Sequence, residues 1–554
     1  MRSIKLFLIT LSCMVLSGSL VAAENFDAKI NAQKAYTDAL VKEAQDQKLP
    51  DFKFEETSIA ELQAALNAGT ITSRQLVAWY VKRINEFDNT YRGVQELNPD
   101  LFQIADALDN ERKENKTRGP MHGIPILLKD NIATGDKMYN TAGSLSLWDD
   151  NCKPTRDSTL AQKLREAGAI IFGKACMSEW ANFRTLNGTL ARYHDSDGFS
   201  GRCGQTANAY NTSTSPSGSS GGSAVSVAAN FITVALGSDT DASIVAPASI
   251  HALVGLRPTV GLTSRDLVIP ISHTQDTVGP LARSVADAAA VLEVIAGLDS
   301  KDTLTNMPPP PPSLQREKYT AALDKDGLKG MRIGVPQREF WFAILNNQAD
   351  KDAMENAIKK IAELGATVVD PAPIPTSQEI VSKGFKAGSP EYDVLLTDYK
   401  HDINAYLATL PKECPMKTMQ DLIDFNNRNA DKEMQFFGQD VFLAAQNTTG
   451  LDDPKYKEQL ALDRKLGGEQ GIDAAMNKDN LDLLVVPVNW AFFPPQPMAM
   501  AGYPMITVPI GFDANGVPFA LGFIGRAYSE SQLIKAAYAF EQATKARKPP
   551  VLHN

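Results

Sequence analysis

Cysteine and histidine are scarce in this 554-residue chain, five and six in all, and neither falls into a metal-binding spacing such as CxxC or HExxH. No metal is expected, and no cofactor-binding motif points to an organic group. Cys13 lies in the leader described below, which leaves Cys152, Cys176, Cys203 and Cys414. They are too few and too scattered to read as a disulfide framework, so the fold is expected to rest on its core. Dense Lys/Arg tracts are also missing, and the formal net charge is -10. That balance excludes a grip on phosphate backbones, and no nucleic-acid partner is expected. With 43% hydrophobic and 22% charged residues, the composition is that of a folded globular protein.

The longest apolar run, Leu6 to Val21, covers about 16 residues, short of the roughly 20 needed to span a bilayer. Arg2 and Lys5 precede it, and Val21, Ala22 and Ala23 supply small residues before Glu24. This is the pattern of a cleaved signal peptide over residues 1–23, which implies export to a periplasm or the exterior with no stable membrane insertion afterwards. Residues 24–54 are polar and rich in Ala, Lys, Glu and Gln, and read as an exposed helical extension.

Helix starts are legible beyond it. Ser58 with Glu61, and Thr72 with Gln75, form capping boxes ahead of apolar faces, and Gly69 is placed to end the first helix. A helical stretch from Thr159 closes at Gly168 and leads into the apolar run Ala169 to Phe172, and the pattern recurs over Ala353 to Val369. Further strands are expected at Leu481 to Val486 and Met505 to Val508, with a last helix over Ser531 to Ala546. Alternating helix and strand argues an α/β fold.

Thr212 to Ser226 reads TSTSPSGSSGGSAVS, which by composition alone is a flexible linker. Yet it runs directly into a small-residue helix, Ala224 to Asn230, and the strand-like Phe231 to Leu236. A glycine-rich turn opening a helix presents free backbone N–H groups suited to an anion or a developing oxyanion. Gly218 to Gly222 also satisfies G-x-S-x-G around Ser220, but the polar, proline-containing approach from Ala209 to Pro216 lacks the buried strand that such an elbow needs.

Upstream, Lys129 ends the apolar run Ile124 to Leu128 and is followed by Asp130 and Asn131; downstream come Gly237-Ser-Asp-Thr-Asp-Ala-Ser243, Gly255-Leu-Arg-Pro-Thr259 and Asp276-Thr-Val-Gly-Pro280. In this order, and with Ser219 and Ser243 spaced as they are, the segments resemble the amidase signature family. The resemblance implies a large mixed β-sheet flanked by helices on both faces, forming one catalytic domain over residues 55–554. It also implies a Ser–Ser–Lys triad: Ser243 attacks the carbonyl, Ser219, in a cis peptide bond, relays the proton, and Lys129 accepts it. The backbone N–H groups of Thr240, Asp241, Ala242 and Ser243 would hold the oxyanion. A lysine serves as base near neutral pH only if burial lowers its pKa, and an apolar strand end supplies that burial.

Ser178 to Arg184, Gly201 to Gln205, Ile269 to Asp276 and Ala501 to Pro504 are similar to bacterial peptide amidases, which release ammonia from C-terminal peptide carboxamides. The resemblance puts Trp180 beside the acyl pocket, with Trp490, Phe492 and Phe493 as further lining. Two departures stand out. Ala242 replaces the glycine that precedes the nucleophile in the family, and its φ is expected to be negative, so that the oxyanion loop stays intact. Val245 stands where many members carry an arginine, which disfavours acidic amino-acid amides. The expected activity is hydrolysis of carboxamide C–N bonds, with small aryl or alkyl amides or esters as the alternative substrates. A weakened ligand-binding scaffold of the same fold is the alternative from a different class. The amidotransferase members share the motifs but work in the cytoplasm with partner proteins, against which the leader argues.

Overall fold

The computed structural model describes residues 26–186, 196–306, 318–337, 345, 347–489 and 496–554. The leader, the proline run after Met307, and Trp490, Phe492 and Phe493 lie outside them. Both capping boxes are made: Ser58 and Glu61 open the helix Ile59–Asn67, and Thr72 and Gln75 open Ser73–Tyr91. The helix preceding them is not wholly exposed, because Leu40 and Ala44 on one of its faces are buried in the main core.

Thirteen strands are formed among the described residues: β1 Val94–Leu97, β2 Pro125–Lys129, β3 Ile170–Ala175, β4 Phe199–Ser200, β5 Gly204–Gln205, β6 Val234–Asp239, β7 Val254–Arg257, β8 Thr277–Ala282, β9 Arg332–Gly334, β10 Thr367–Val369, β11 Leu483–Val488, β12 Met505–Phe512 and β13 Pro518–Ile524. Eleven make one sheet in the order β1-β3-β2-β6-β8-β7-β12-β13-β11-β9-β10, and β4 pairs β5 apart from it. The sheet is mixed, as the resemblance implies. β2 runs parallel to both β3 and β6, and β9 runs parallel to β10 and β11, while the centre from β6 through β8, β7, β12 and β13 to β11 is antiparallel.

β2, β3 and β6 are buried along their whole length, which is why they read as continuous apolar runs rather than alternating ones. Gly173 lets β1 approach β3: a Cβ there would lie 2.2 Å from the Glu96 carbonyl oxygen. The strand expected from Phe231 instead begins at Val234, because residues 229–233 form a turn and bend after the helix Gly221–Ala228, which itself starts three residues earlier than its apolar pattern suggests. The hairpin of β12 and β13 escapes a reading that stops at Val508, since β12 continues through Pro509 with a register shift.

The cysteines correct the sequence reading. Cys152 bonds to Cys414 across 262 residues with Cα atoms 4.7 Å apart, and Cys176 pairs with Cys203 at 6.0 Å. Sequence scatter hid the first pair because its halves meet only when the long helix Pro390–Ala408 and its neighbour Met419–Arg428 fold over the segment around Cys152 in a second core. Closing so long a loop stabilises chiefly by restricting the unfolded chain. Replacing Cys152 and Cys414 together by alanine should lower stability by about 2–4 kcal/mol, read as an earlier denaturation midpoint. An unchanged midpoint in non-reducing buffer would show that the bridge is not formed in solution.

Candidate active site

The parallel pair β2 and β6 brings Lys129 and Asp239 to the same end of the sheet, the carboxyl end where ligands bind in open α/β sheets. Lys129 has no exposed surface. Its Nζ donates to Ser219 Oγ at 2.6 Å, to the Ser238 carbonyl at 3.0 Å and to Ser238 Oγ at 3.0 Å, and none of these acceptors is a carboxylate. Burial brings its pKa down from 10.5 to about 7, against the opposing charges of Asp239 and Asp276. Asn131 donates to Ser238 Oγ at 2.9 Å, so Ser238 is the pivot of the contact.

The Gly/Ser run is no linker. The Gly218–Ser219 peptide is cis. The Ser219 carbonyl accepts from the Ser178 N–H at 3.1 Å, and the Ser220 N–H donates to the Ser243 carbonyl at 3.2 Å, stitching the run to the loop of the second serine. Ser220 Oγ donates to the Ser238 carbonyl at 3.2 Å, which separates it from Ser219, the hydroxyl that faces the lysine. Gly237 is required here, because a Cβ would stand 2.7 Å from Ser220 Oγ.

Residues 240–244 form the turn between β6 and the short helix Val245–Ser249. The Asp239 carboxylate holds the turn at both ends, accepting from the Ile244 N–H at 2.6 Å and pairing with Arg257 at 2.5 Å, with both side chains fully buried. Arg257 also donates to the Asp239 and Thr240 carbonyls at 2.8 and 3.2 Å. Thr240 Oγ1 donates to Asp276 at 2.6 Å, and that carboxylate accepts from the Ile271 and Ser272 N–H groups. Among the described residues, the N–H groups of Asp241, Ala242 and Ser243 donate to no backbone carbonyl. Such a row of free donors is what an oxyanion requires. Ser243 is 8% exposed beside them.

The geometry overturns one expectation: the φ of Ala242 is +66°, not negative. The left-handed conformation costs a non-glycine residue roughly 1–2 kcal/mol. It persists because the Asp239–Arg257 pair and the Ile244 N–H bond fix the loop from both sides.

Sequence reasoning missed a set of buried carboxyl groups. Asp241 and Asp463 are both raised well above the usual carboxylate range, first by burial and then by neighbouring carboxylates, with Glu391 foremost for each. Burial also pushes Glu391 up to about 7, although Gln496 and Gln275 donate to it at 2.6 and 3.1 Å. Gln275 and Asp276 lay within a quoted motif; Glu391 and Asp463 sit on helices with no sequence cue. Trp180 lies two residues beyond Ser178, whose N–H donates to the Ser219 carbonyl, with its φ at +50° and its ring in the second core, 5.6 Å from that of Phe442. Its indole nitrogen is buried without a hydrogen-bond partner among the described residues.

The Amidase family matches residues 75–534. This chain belongs to the amidase signature family. It is 39% identical over 503 residues to a probable amidase of Arabidopsis thaliana, covering 90% of this chain and 92% of that one. A putative amidase of Schizosaccharomyces pombe is 38% identical over 527 residues, covering 91% and 88%. Among solved structures, the native peptide amidase of Stenotrophomonas maltophilia is similar at 43% identity and a TM-score of 0.82, covering 90% of this chain and 99% of that one. The protein is therefore an amidohydrolase of this fold.

Two outcomes test the site. Between pH 7 and 10.5 the unfolded chain carries a proton on Lys129 that the folded chain has lost, so this group makes stability rise with pH across that window. The wild type should gain stability on Lys129→Met as pH is raised from about 7 to 10, and a gap independent of pH would place the lysine titration elsewhere. Ala242→Gly should raise stability by about 1 kcal/mol through relief of the left-handed alanine, with turnover on a small amide shifting less than about tenfold. A large gain in turnover would mean that the alanine displaces the donors.

Proposed function

We propose that the protein is an exported amidase that hydrolyses carboxamides, chiefly C-terminal amides of peptides, by a Ser243–Ser219–Lys129 triad. The observation that carries this reading is the 2.6 Å contact of a fully buried lysine with Ser219. A lysine that is neutral near pH 7 has a lone pair to offer, and a hydroxyl both donates and accepts, so Ser219 passes the Ser243 proton to Nζ as Ser243 Oγ attacks the carbonyl. The oxyanion of the tetrahedral intermediate takes the N–H groups along Thr240 to Ser243. Collapse releases ammonia, protonated through Ser219, and water then cleaves the acyl-enzyme by the same relay in reverse.

The peptide-amide substrate is inferred from the likeness to the Stenotrophomonas maltophilia enzyme and its coverage of nearly the whole fold. Trp180 is assigned to the acyl side of the pocket on the same ground. Export rests on the leader and on the cysteine pairs, which suit an oxidising compartment. Among the described residues no helix is long and apolar enough to cross a membrane. A ligand-holding scaffold with weak turnover is a second reading, favoured by the left-handed φ of Ala242.

Ser243→Ala should abolish turnover and fluorophosphonate labelling while leaving the melting temperature within a few degrees. Label mapped to Ser219 or Ser220 would reassign the nucleophile, and no label on folded wild type would favour the scaffold. The rate on a peptide amide should rise with pH through about 7 as Lys129 loses its proton. A rate that tracks hydroxide without a plateau would remove the lysine from the role of base.

A further inference from the structure

We propose that His273, His401 and Asp402 form a binding site for one divalent transition metal of the zinc type, outside the triad. The two histidines are far apart in the sequence, and folding brings their rings to a centroid separation of 6.1 Å. Both Nδ1 atoms converge on one carboxylate: His401 Nδ1 lies 2.9 Å from Asp402 Oδ1, and His273 Nδ1 lies 3.1 and 3.0 Å from the two Asp402 oxygens. The donor atoms of the three residues all fall within 4.8 Å of one another. Ligands of a tetrahedral ion with bonds of about 2 Å stand roughly 3.3 Å apart, so small side-chain rotations suffice to close the set around an ion.

The donor types select the ion. Two imidazoles and one carboxylate suit zinc and its neighbours, whereas calcium and magnesium take oxygen. The cation replaces the Nδ1 protons, and each imidazole keeps its proton on Nε2. A cavity of about 420 Å³ opens beside His273 and Asp402, leaving room for water in the remaining coordination position. The cationic Arg265 on its wall is engaged by Asp302, at 2.9 and 2.7 Å, and by the His273 carbonyl at 2.5 Å. Asp398, 3.8 Å from His273, is taken by the Ser272, Thr274 and Tyr456 hydroxyls and is left out of the set.

The position gives the site a consequence. His273 belongs to the segment Ile271 to Asp276, whose Asp276 and Gln275 hold Thr240 at the start of the proposed oxyanion loop, while His401 and Asp402 belong to the helix Pro390–Ala408. An ion joining them tethers that segment to the helix. It acts through position only, since none of its ligands touches Lys129, Ser219 or Ser243.

The test is calorimetric titration of the full chain with Zn²⁺, with Mg²⁺ as the hard-ion control. Expected are one equivalent of Zn²⁺, an upward shift of the melting temperature on saturation, and no heat with Mg²⁺. His401→Ala, at a residue whose side chain is half exposed, keeps the fold and should weaken binding at least tenfold, as should His273→Gln; His553→Ala should leave it unchanged. No saturable binding below about 100 µM, or binding unaltered by His401→Ala and His273→Gln, overturns the proposal.

Discussion

A lysine without solvent, held by three oxygens of which none belongs to a carboxylate, sets the conditions for everything around it. The charged form is poorly solvated there, so the amine sheds its proton near neutrality. Keeping that amine buried requires a strand flanked along both edges inside the sheet, which the parallel trio β3, β2 and β6 provides. Keeping it useful requires a hydroxyl in contact, and the Gly/Ser segment has to enter the sheet end closely enough to deliver Ser219. Gly237 on β6 and Gly222 in the helix Gly221–Ala228 make that entry possible; at Gly222 a Cβ would stand 2.3 Å from the Cys176 carbonyl oxygen.

The loop that carries Ser243 is organised by a different interaction. Asp239 and Arg257 form an ion pair with no exposure on either side, an arrangement whose desolvation cost offsets much of its attraction. Its return is geometric. One carboxylate caps Ile244 while one guanidinium reaches three carbonyls, of Asp239, Thr240 and Gln275, so that β6, β7 and the segment before β8 meet at a single point. A loop fixed in this way can hold Ala242 in a left-handed conformation. Strain of that size survives where surrounding bonds over-determine the backbone.

Much of this was legible in the sequence, and the parts that were not share a physical reason. The placement of Lys129 at a strand end, of Ser219 in a turn and of Ser243 ahead of a helix was readable because motif order encodes strand end, turn and helix start; the structure brings Lys129 and Ser219 into contact and joins the Ser220 and Ser243 backbones. Capping boxes at Ser58 and Thr72 were readable because they are local. The Cys152–Cys414 bridge, the meeting of His273 with His401, and the burial of Glu391 beside Asp241 depend on where the helix Pro390–Ala408 docks, and nothing local encodes docking. The φ of Ala242 failed for the opposite reason. The expectation was that an intact loop needs an unstrained alanine, whereas tertiary bonds hold the loop with Ala242 left-handed. Ser238 and Arg257 were passed over as ordinary members of quoted motifs, although they carry the contacts that position Lys129 and the loop.

The carboxyl groups near the lysine share its burial. Burial raises Asp276 to about 6 while its bonds from Thr240, Ser272 and Ile271 hold it down, and Lys129 falls to about 7. Ionisation strengthens Asp276 as the acceptor for Thr240. Its new negative charge opposes the loss of the lysine proton, and the lysine pKa stays low only because desolvation outweighs that attraction. Asp241 lies nearer still to Ser243 in sequence, and burial, with the neighbouring Glu391, raises its pKa well above the usual carboxylate range. The same burial acts in one sense on all three groups, lowering the pKa of Lys129 and raising those of Asp276 and Asp241, each toward its neutral form.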